Sequence, residues 1–217
     1  FGRIGGLSTY SADEFITLDP QTRRNLELFE GGRWGDGSFS LLSTLNLTKT
    51  PMGARMLRRW LGQPLLDLDQ IRERHDAVEW FVENSGCLAR ALQTLTRMSD
   101  LERLVNRVQM GKAIPRDLIA LRDSLGVLPL LVDILLESSD PAQVQWLIDR
   151  LRGYSGCSRA VELIDQAIEQ EPGQVGDGTT IRKGYSLELD KLMKVSRDTR
   201  SLIAALERQE RQRTGIR

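Results

Sequence analysis

SLELDKLMKVSRDTRSLIAALERQERQR, residues 186–213, decides the fold class. Tyr185, Leu189, Leu192, Val195, Thr199, Leu202 and Leu206 recur at steps of three and four, which lays one apolar stripe along one helix. At 1.5 Å per residue such a helix is roughly 40 Å long. The stripe continues to Gln209 and Arg213, where it is polar, and Glu207, Arg208, Glu210 and Arg211 fill the intervening positions. No breaker stops the pattern; it runs out of apolar residues. The spacing predicts a helix packed over its first two thirds and polar all round over its last third. Glu207 with Arg211 and Glu210 with Arg213 stand at i,i+4 and i,i+3, each pair worth about 0.2–0.5 kcal/mol. A helix that outruns its own core is read here as an arm reaching another element.

Upstream of the arm, residues 171–180 form a Pro/Gly-rich break. Within it, VGDGTTI (175–181) sets an Asp-Gly turn between β-branched residues and predicts one small β-hairpin. Everything before that reads as helix. Helices are expected over 158–170 and from Asp140-Pro141-x-Gln143, and a longer one from Pro115 through Leu121 and Leu125, kinked at Pro129. Two more cover 87–98 and 100–110, with Ser99 and Glu102 as an S-x-x-E box. Asp67 to Gln70 is a D-x-x-Q box opening a helix to about Glu83, with Ile71, His75, Val78 and Phe81 or Val82 inward. Thr50-Pro51 starts a helix through Trp60 with Met52, Met56, Leu57 and Trp60 inward, and Asp19-Pro20 starts a short one through Leu28. Between them lie a Gly-Asp-Gly loop at 31–37 and a brief helix at 38–46 carrying Leu41, Leu42 and Leu45. Residues 1–15 have no periodicity and read as a linker. The fold class is all-α: an irregular multi-helix bundle with one small β-hairpin and a long C-terminal helix.

Composition narrows the function classes. Thirty basic residues balance thirty acidic ones in a chain of 217, so no global field points to nucleic acid or an anionic membrane. Cys87 and Cys157 are distant in sequence, lack metal-ligand spacing, and read as reduced core residues of a cytosolic protein. The longest apolar run, 125–136, contains Pro129 and Asp133 and is too short to span a bilayer. No charged-then-apolar leader opens the chain, which begins without Met and ends in mid-pattern; both ends are expected to continue into something longer.

A search for chemistry assigns no catalytic, cofactor-binding or metal-binding residue. The glycines at 31–37 and 173–178 lack the spacing and the Lys of a phosphate loop. The single histidine, His75, excludes a zinc cluster and a triad, and reads as a satisfied core or boundary residue. Asp67 with Asp69 and Glu207 with Glu210 read as caps or solvated faces. The one patch with functional potential is Lys49, Arg55, Arg58 and Arg59, to which Arg23-Arg24 could add. A helix presenting Arg55, Arg58 and Arg59 defines an alternative function, a nucleic-acid-binding helical module. The other reading is solvated or salt-bridged arginine opposite the Met52/Met56/Trp60 face.

Several motifs resemble one family in order along the chain. TLDPQTRRNLEL (17–28) and TPMGARMLRRWL (50–61), followed by Pro64-Leu65, look like the opening of the core (lever) domain of MutS, the DNA mismatch recognition ATPase family. Asp100-Leu101-Glu102-Arg103, Pro115-Arg116-Asp117-Leu118, Gly184-Tyr185-x-x-Glu188-Leu189-Asp190 and Glu210-Arg211-x-Arg213-Thr214-Gly215-Ile216 follow in the same order. Ser186 departs from the Asn or Asp usual in the family, and all three cap helices. The resemblance implies a linker from a connector at 1–15, a helical core at 16–185, and an outgoing lever helix at 186–217, ending where a clamp would begin. It implies a DNA-dependent ATPase as the full-length parent, a homodimer acting on DNA in the cytoplasm and nucleoid-associated when bound to it, with no membrane partner. ATP and Mg would belong to that parent and not to this segment, whose share would be to couple the ATPase and clamp by rigid-body helix movement. The exposed lever could also let the segment self-associate.

Overall fold

A computed structural model describes residues 15–31, 39–137, 140–176 and 178–214, with backbone alone at 155, 156 and 200. Residues 1–14 of the expected linker at 1–15 and residues 32–37 of the expected loop lie outside the described residues. The elements are α1 (Pro20–Asn25), α2 (Leu41–Leu45), α3 (Pro51–Gly62), α4 (Leu68–Glu83), α5 (Ser85–Leu95), α6 (Leu101–Gln109), α7 (Pro115–Leu136), α8 (Gln145–Arg152), α9 (Ser158–Ala167) and α10 (Leu187–Thr214). Short 3-10 turns at Pro141–Val144 and Gly153–Cys157 flank α8.

Local chemistry sets the helix starts. The Asp19 carboxylate accepts from the Thr22 amide at 2.8 Å, Thr50 Oγ1 from the Gly53 amide at 3.1 Å, and Asp67 from the Asp69 amide at 2.9 Å. Gln70 Nε2 donates to the Asp67 carboxylate at 3.0 Å rather than serving as an acceptor in a reciprocal box. These hydrogen bonds hold Asp19 and Asp67 below the ordinary carboxylate range, Asp19 chiefly through the Thr22 amide and Asp67 chiefly through the Gln70 side chain. The S-x-x-E expectation at Ser99 is corrected: Asp100 caps α6 by accepting from the Arg103 amide. The Ser99 amide instead donates at 2.9 Å to Ser124 Oγ, a fully buried hydroxyl on α7 that itself donates to the Ala120 carbonyl at 2.7 Å.

Helix α7 is the axis of the body, and three apolar clusters are arranged along it. Near its start Leu118, Ile119 and Leu121 meet Ile164, Ala167 and Ile168. Farther on, Val127, Leu131 and Ile134 meet Ala91 of α5. Val132 and Leu135 join Ala77, Trp80, Val144 and Ile148 from α4, the 3-10 turn and α8. The helix continues through Pro129 to Leu136, so the expected apolar run is its buried half. Ion pairs tie neighbours to it: Arg107 to Asp117 at 2.8 Å, Arg122 to Asp165 at 3.0 Å, and Arg90 to Glu137.

Two inward faces expected from periodicity are corrected. On α4 Ala77 and Trp80 are buried and the expected Ile71 and Phe81 are half-buried, Phe81 against the Trp80 cluster, while His75, Val78 and Val82 are exposed. Trp80 fixes the rotation: its indole N–H donates to the Asp140 carbonyl at 2.7 Å and its ring fills the α7–α8 cluster. On α3, Met52 and Leu57 are half-buried but Met56 and Trp60 are exposed, Trp60 lying under the Arg74 guanidinium at 3.8 Å. Burial, with the repulsion of Arg150 second, lowers the Arg74 pKa.

The β-hairpin is also corrected. Val175 is exposed, and Ile181 bridges back to Ile168 at the end of α9, with Glu169 N–H on the Thr180 carbonyl and Arg182 N–H on the Ala167 carbonyl. The strand partner is thus the helix end rather than the near side of the turn, because burying Ile181 against Ile164 and Ala167 outweighs a local pairing. Phe15 and Leu65 form a second isolated bridge.

Candidate functional site

The residues singled out by sequence divide between two places. The first is the arginine face of α3. Arg55 is tied to α6: its Nη1 and Nη2 donate to the Asp100 carboxylate at 2.9 and 2.8 Å, and its Nε donates to Glu102 at 2.7 Å. These contacts raise the Arg55 pKa, with Asp100 the larger cause, and hold Asp100 below its ordinary value. Arg55 is therefore neutralised and faces a protein neighbour. Arg59 donates to Gln63 within one turn at 3.3 Å, and Lys49 is exposed in the connection before α3. The three-arginine strip expected from helical spacing is broken up by these engagements.

Arg58 turns elsewhere. Its guanidinium stacks on the Phe29 ring, 4.3 Å from the centroid, and lines a cleft of about 180 Å³ together with Pro20, Arg23, Arg24 and Glu30. Helix α1 supplies Arg23 and Arg24, and Arg23 Nη2 lies 3.4 Å from the Gly62 carbonyl at the end of α3. Gly62 makes this junction: a Cβ there would meet Phe29 Cζ at 3.2 Å. Sequence reading placed Arg23 and Arg24 near the patch but missed Phe29, whose role depends on a loop return that no local spacing encodes.

The second place is α10. Half-covered side chains on the helix are Leu189, Asp190, Met193 and Ala204; the other described ones are exposed. Met193 leans on Gly178, a residue at φ +79°. Ser186 Oγ accepts from the Leu189 amide at 3.3 Å, and Asp190 accepts from the Gly184 amide at 2.9 Å. The expected packing of the first two thirds is corrected. At 100° per residue Leu192, Val195, Thr199, Leu202 and Leu206 centre roughly 120° round the helix from Leu189 and Met193, so the helix touches the body with one flank and turns most of its apolar stripe away. The two ion pairs expected at its end form, Glu207–Arg211 at 2.6 Å and Glu210–Arg213 at 3.1 Å.

Among the described residues no cluster of His, Cys, Asp or Glu could hold a metal ion, and no helix is long and apolar enough to cross a membrane. Cys87 and Cys157 are half-buried free thiols.

Comparison of the sequence with known proteins identifies one family. A family model described as MutS domain III covers residues 21–213. The DNA mismatch repair protein MutS of Methanosarcina acetivorans is 42% identical over 215 residues, 99% of this chain and 24% of that protein. The MutS of Desulfitobacterium hafniense is 42% identical over 213 residues, 97% of this chain and 24% of its own. That of Salinibacter ruber is 39% identical over 211 residues, 97% and 23% respectively. The chain thus spans about a quarter of the length of the curated relatives it matches. A helical body organised on α7, carrying a long helix whose apolar flank faces outward, belongs to the MutS domain III family.

Proposed function

We propose that this chain is the core and lever region of a DNA mismatch repair protein, with residues 16–185 as core and 186–217 as lever. Its task is to couple the ATPase and DNA-clamp regions of that larger protein. The observation that carries the reading is the outward apolar flank of α10, with Leu192, Val195 and Leu202 each 63% exposed. A row of that length at three–four spacing suits a second helix laid along it, and a pair of packed helices transmits displacement as a unit. In this reading the segment supplies positioning, while ATP, Mg and the DNA contacts belong to other regions of a homodimeric parent. The relatives' names support DNA mismatch repair as the setting.

The test uses the full-length protein. Val195→Lys with Leu202→Lys is expected to abolish the stimulation of ATP turnover by mismatched duplex while leaving ATP binding intact. Unchanged stimulation would overturn the coupling role.

A further inference from the structure

The Arg23–Arg24–Arg58 cleft has no part in the arm reading and stands apart from it. Arg23 and Arg24 of α1 and Arg58 of α3 line one concavity of about 180 Å³, with Glu30 as the carboxylate in the lining. None of the three arginines pairs with a carboxylate among the described residues, in contrast to Arg55 one turn earlier on α3, which binds two. Asp19, next to Pro20, is spent on the Thr22 amide and hydroxyl, each at 2.8 Å. Stacking on Phe29 occupies one face of the Arg58 guanidinium and leaves its N–H edge to donate. That arrangement pre-orients a fork, so less side-chain freedom is lost when an acceptor binds.

We propose that this cleft is a phosphate-binding site. The geometry separates phosphate from a carboxylate partner. A planar carboxylate is satisfied by one guanidinium fork, whereas a tetrahedral phosphate offers oxygens in several directions and takes donors from more than one arginine. The lining carries three cations and one anion, which suits a group bearing one or two negative charges. The phosphate is either a backbone phosphodiester of DNA or a free phosphate group, and the two sources are distinguished by experiment.

The test measures the thermal unfolding midpoint of the chain against sodium phosphate, with chloride adjusted to constant ionic strength. The midpoint is expected to rise and saturate in the wild type and equally in Arg116→Gln, an exposed arginine outside the cleft. Arg24→Gln and Arg58→Gln are each expected to weaken the apparent affinity by about tenfold, the loss of one charge-assisted hydrogen-bonded contact. Arg58→Lys, which keeps the charge and loses the fork, is expected to fall between. Labelled duplex in an anisotropy titration then identifies the source. Competition with phosphate, with log K falling against log salt at a slope of about −2 to −3, assigns backbone phosphate; phosphate binding without duplex competition assigns a free phosphate group. Equal phosphate affinity in Arg24→Gln, Arg58→Gln and Arg116→Gln, or no rise beyond chloride, would overturn the site.

Discussion

Trp80 on α4 and Leu202 on α10 each sit within a row of apolar residues at helical spacing, yet Trp80 is 1% exposed and Leu202 63%. Trp80 has neighbours from α7, α8 and the intervening turn, and an acceptor for its indole N–H. Leu202 has solvent. Helical spacing reports that a face is apolar; whether that face is covered depends on what else the chain brings to it, and α10 projects its face away from everything α7 organises. Exposed apolar rows of this kind mark surfaces meant for another element.

The contrast is broken or sharpened by substitution. The largest effect is expected at the covered end: Trp80→Ala should destabilise the body by about 3–5 kcal/mol, enough to unfold much of it, as read by chemical denaturation. A value below about 1 kcal/mol would show that the α4–α8 cluster does not hold the body together. Next comes Gly31→Ala. A Cβ there would stand 2.2 Å from the Phe39 carbonyl oxygen, so backbone must move, and a loss of about 2–3 kcal/mol is expected. Ser124→Ala should cost about 1–3 kcal/mol, because it strands the Ser99 amide that the hydroxyl accepts.

A smaller effect is expected from acid. Asp19, Asp67, Asp100 and Glu137 all have pKa values lowered from 3.8 or 4.5 in the folded chain. A depressed carboxylate contributes stability above its unfolded pKa and loses it as pH falls through the folded one, so stability should decline from about pH 4.5 downward. Asp19, Asp67 and Glu137 are exposed and Asp100 half-buried, so added salt should flatten most of the slope. The smallest effect is expected on the arm: Leu202→Ser should leave stability within about 0.5 kcal/mol of the wild type, while the same change at a covered position would not. A large loss at Leu202 would mean that the stripe is already occupied, by a second copy if the loss depends on protein concentration.

The helical class, the helix starts at Pro20, Pro51 and Pro115 and the long terminal helix were legible because caps and prolines act locally. What escaped was rotational. His75, Val78 and Val82 form as good a stripe as Ala77 and Trp80, and the Asp140 carbonyl with the α7 and α8 contacts, dozens of residues away, chooses between them. The bridge of Ile181 to Ile168 was hidden for the same reason: an Asp-Gly turn announces a reversal without naming the strand it returns to. The basic patch was legible as composition and not as a site. Helical spacing grouped Arg55 with Arg58 and Arg59, but Asp100 claims the first and Phe29 the second.

Met193 rests on Gly178 near the base of α10, and the helix continues to Thr214 beyond that support. The overhang is roughly 30 Å at 1.5 Å per residue. An angular play of about 10° at the base therefore sweeps the tip through ~5 Å, more than a side-chain rearrangement at the fulcrum itself would cover. Small adjustments in the loop around Gly178 are magnified with distance, and the charged tip of the helix is where they are felt most.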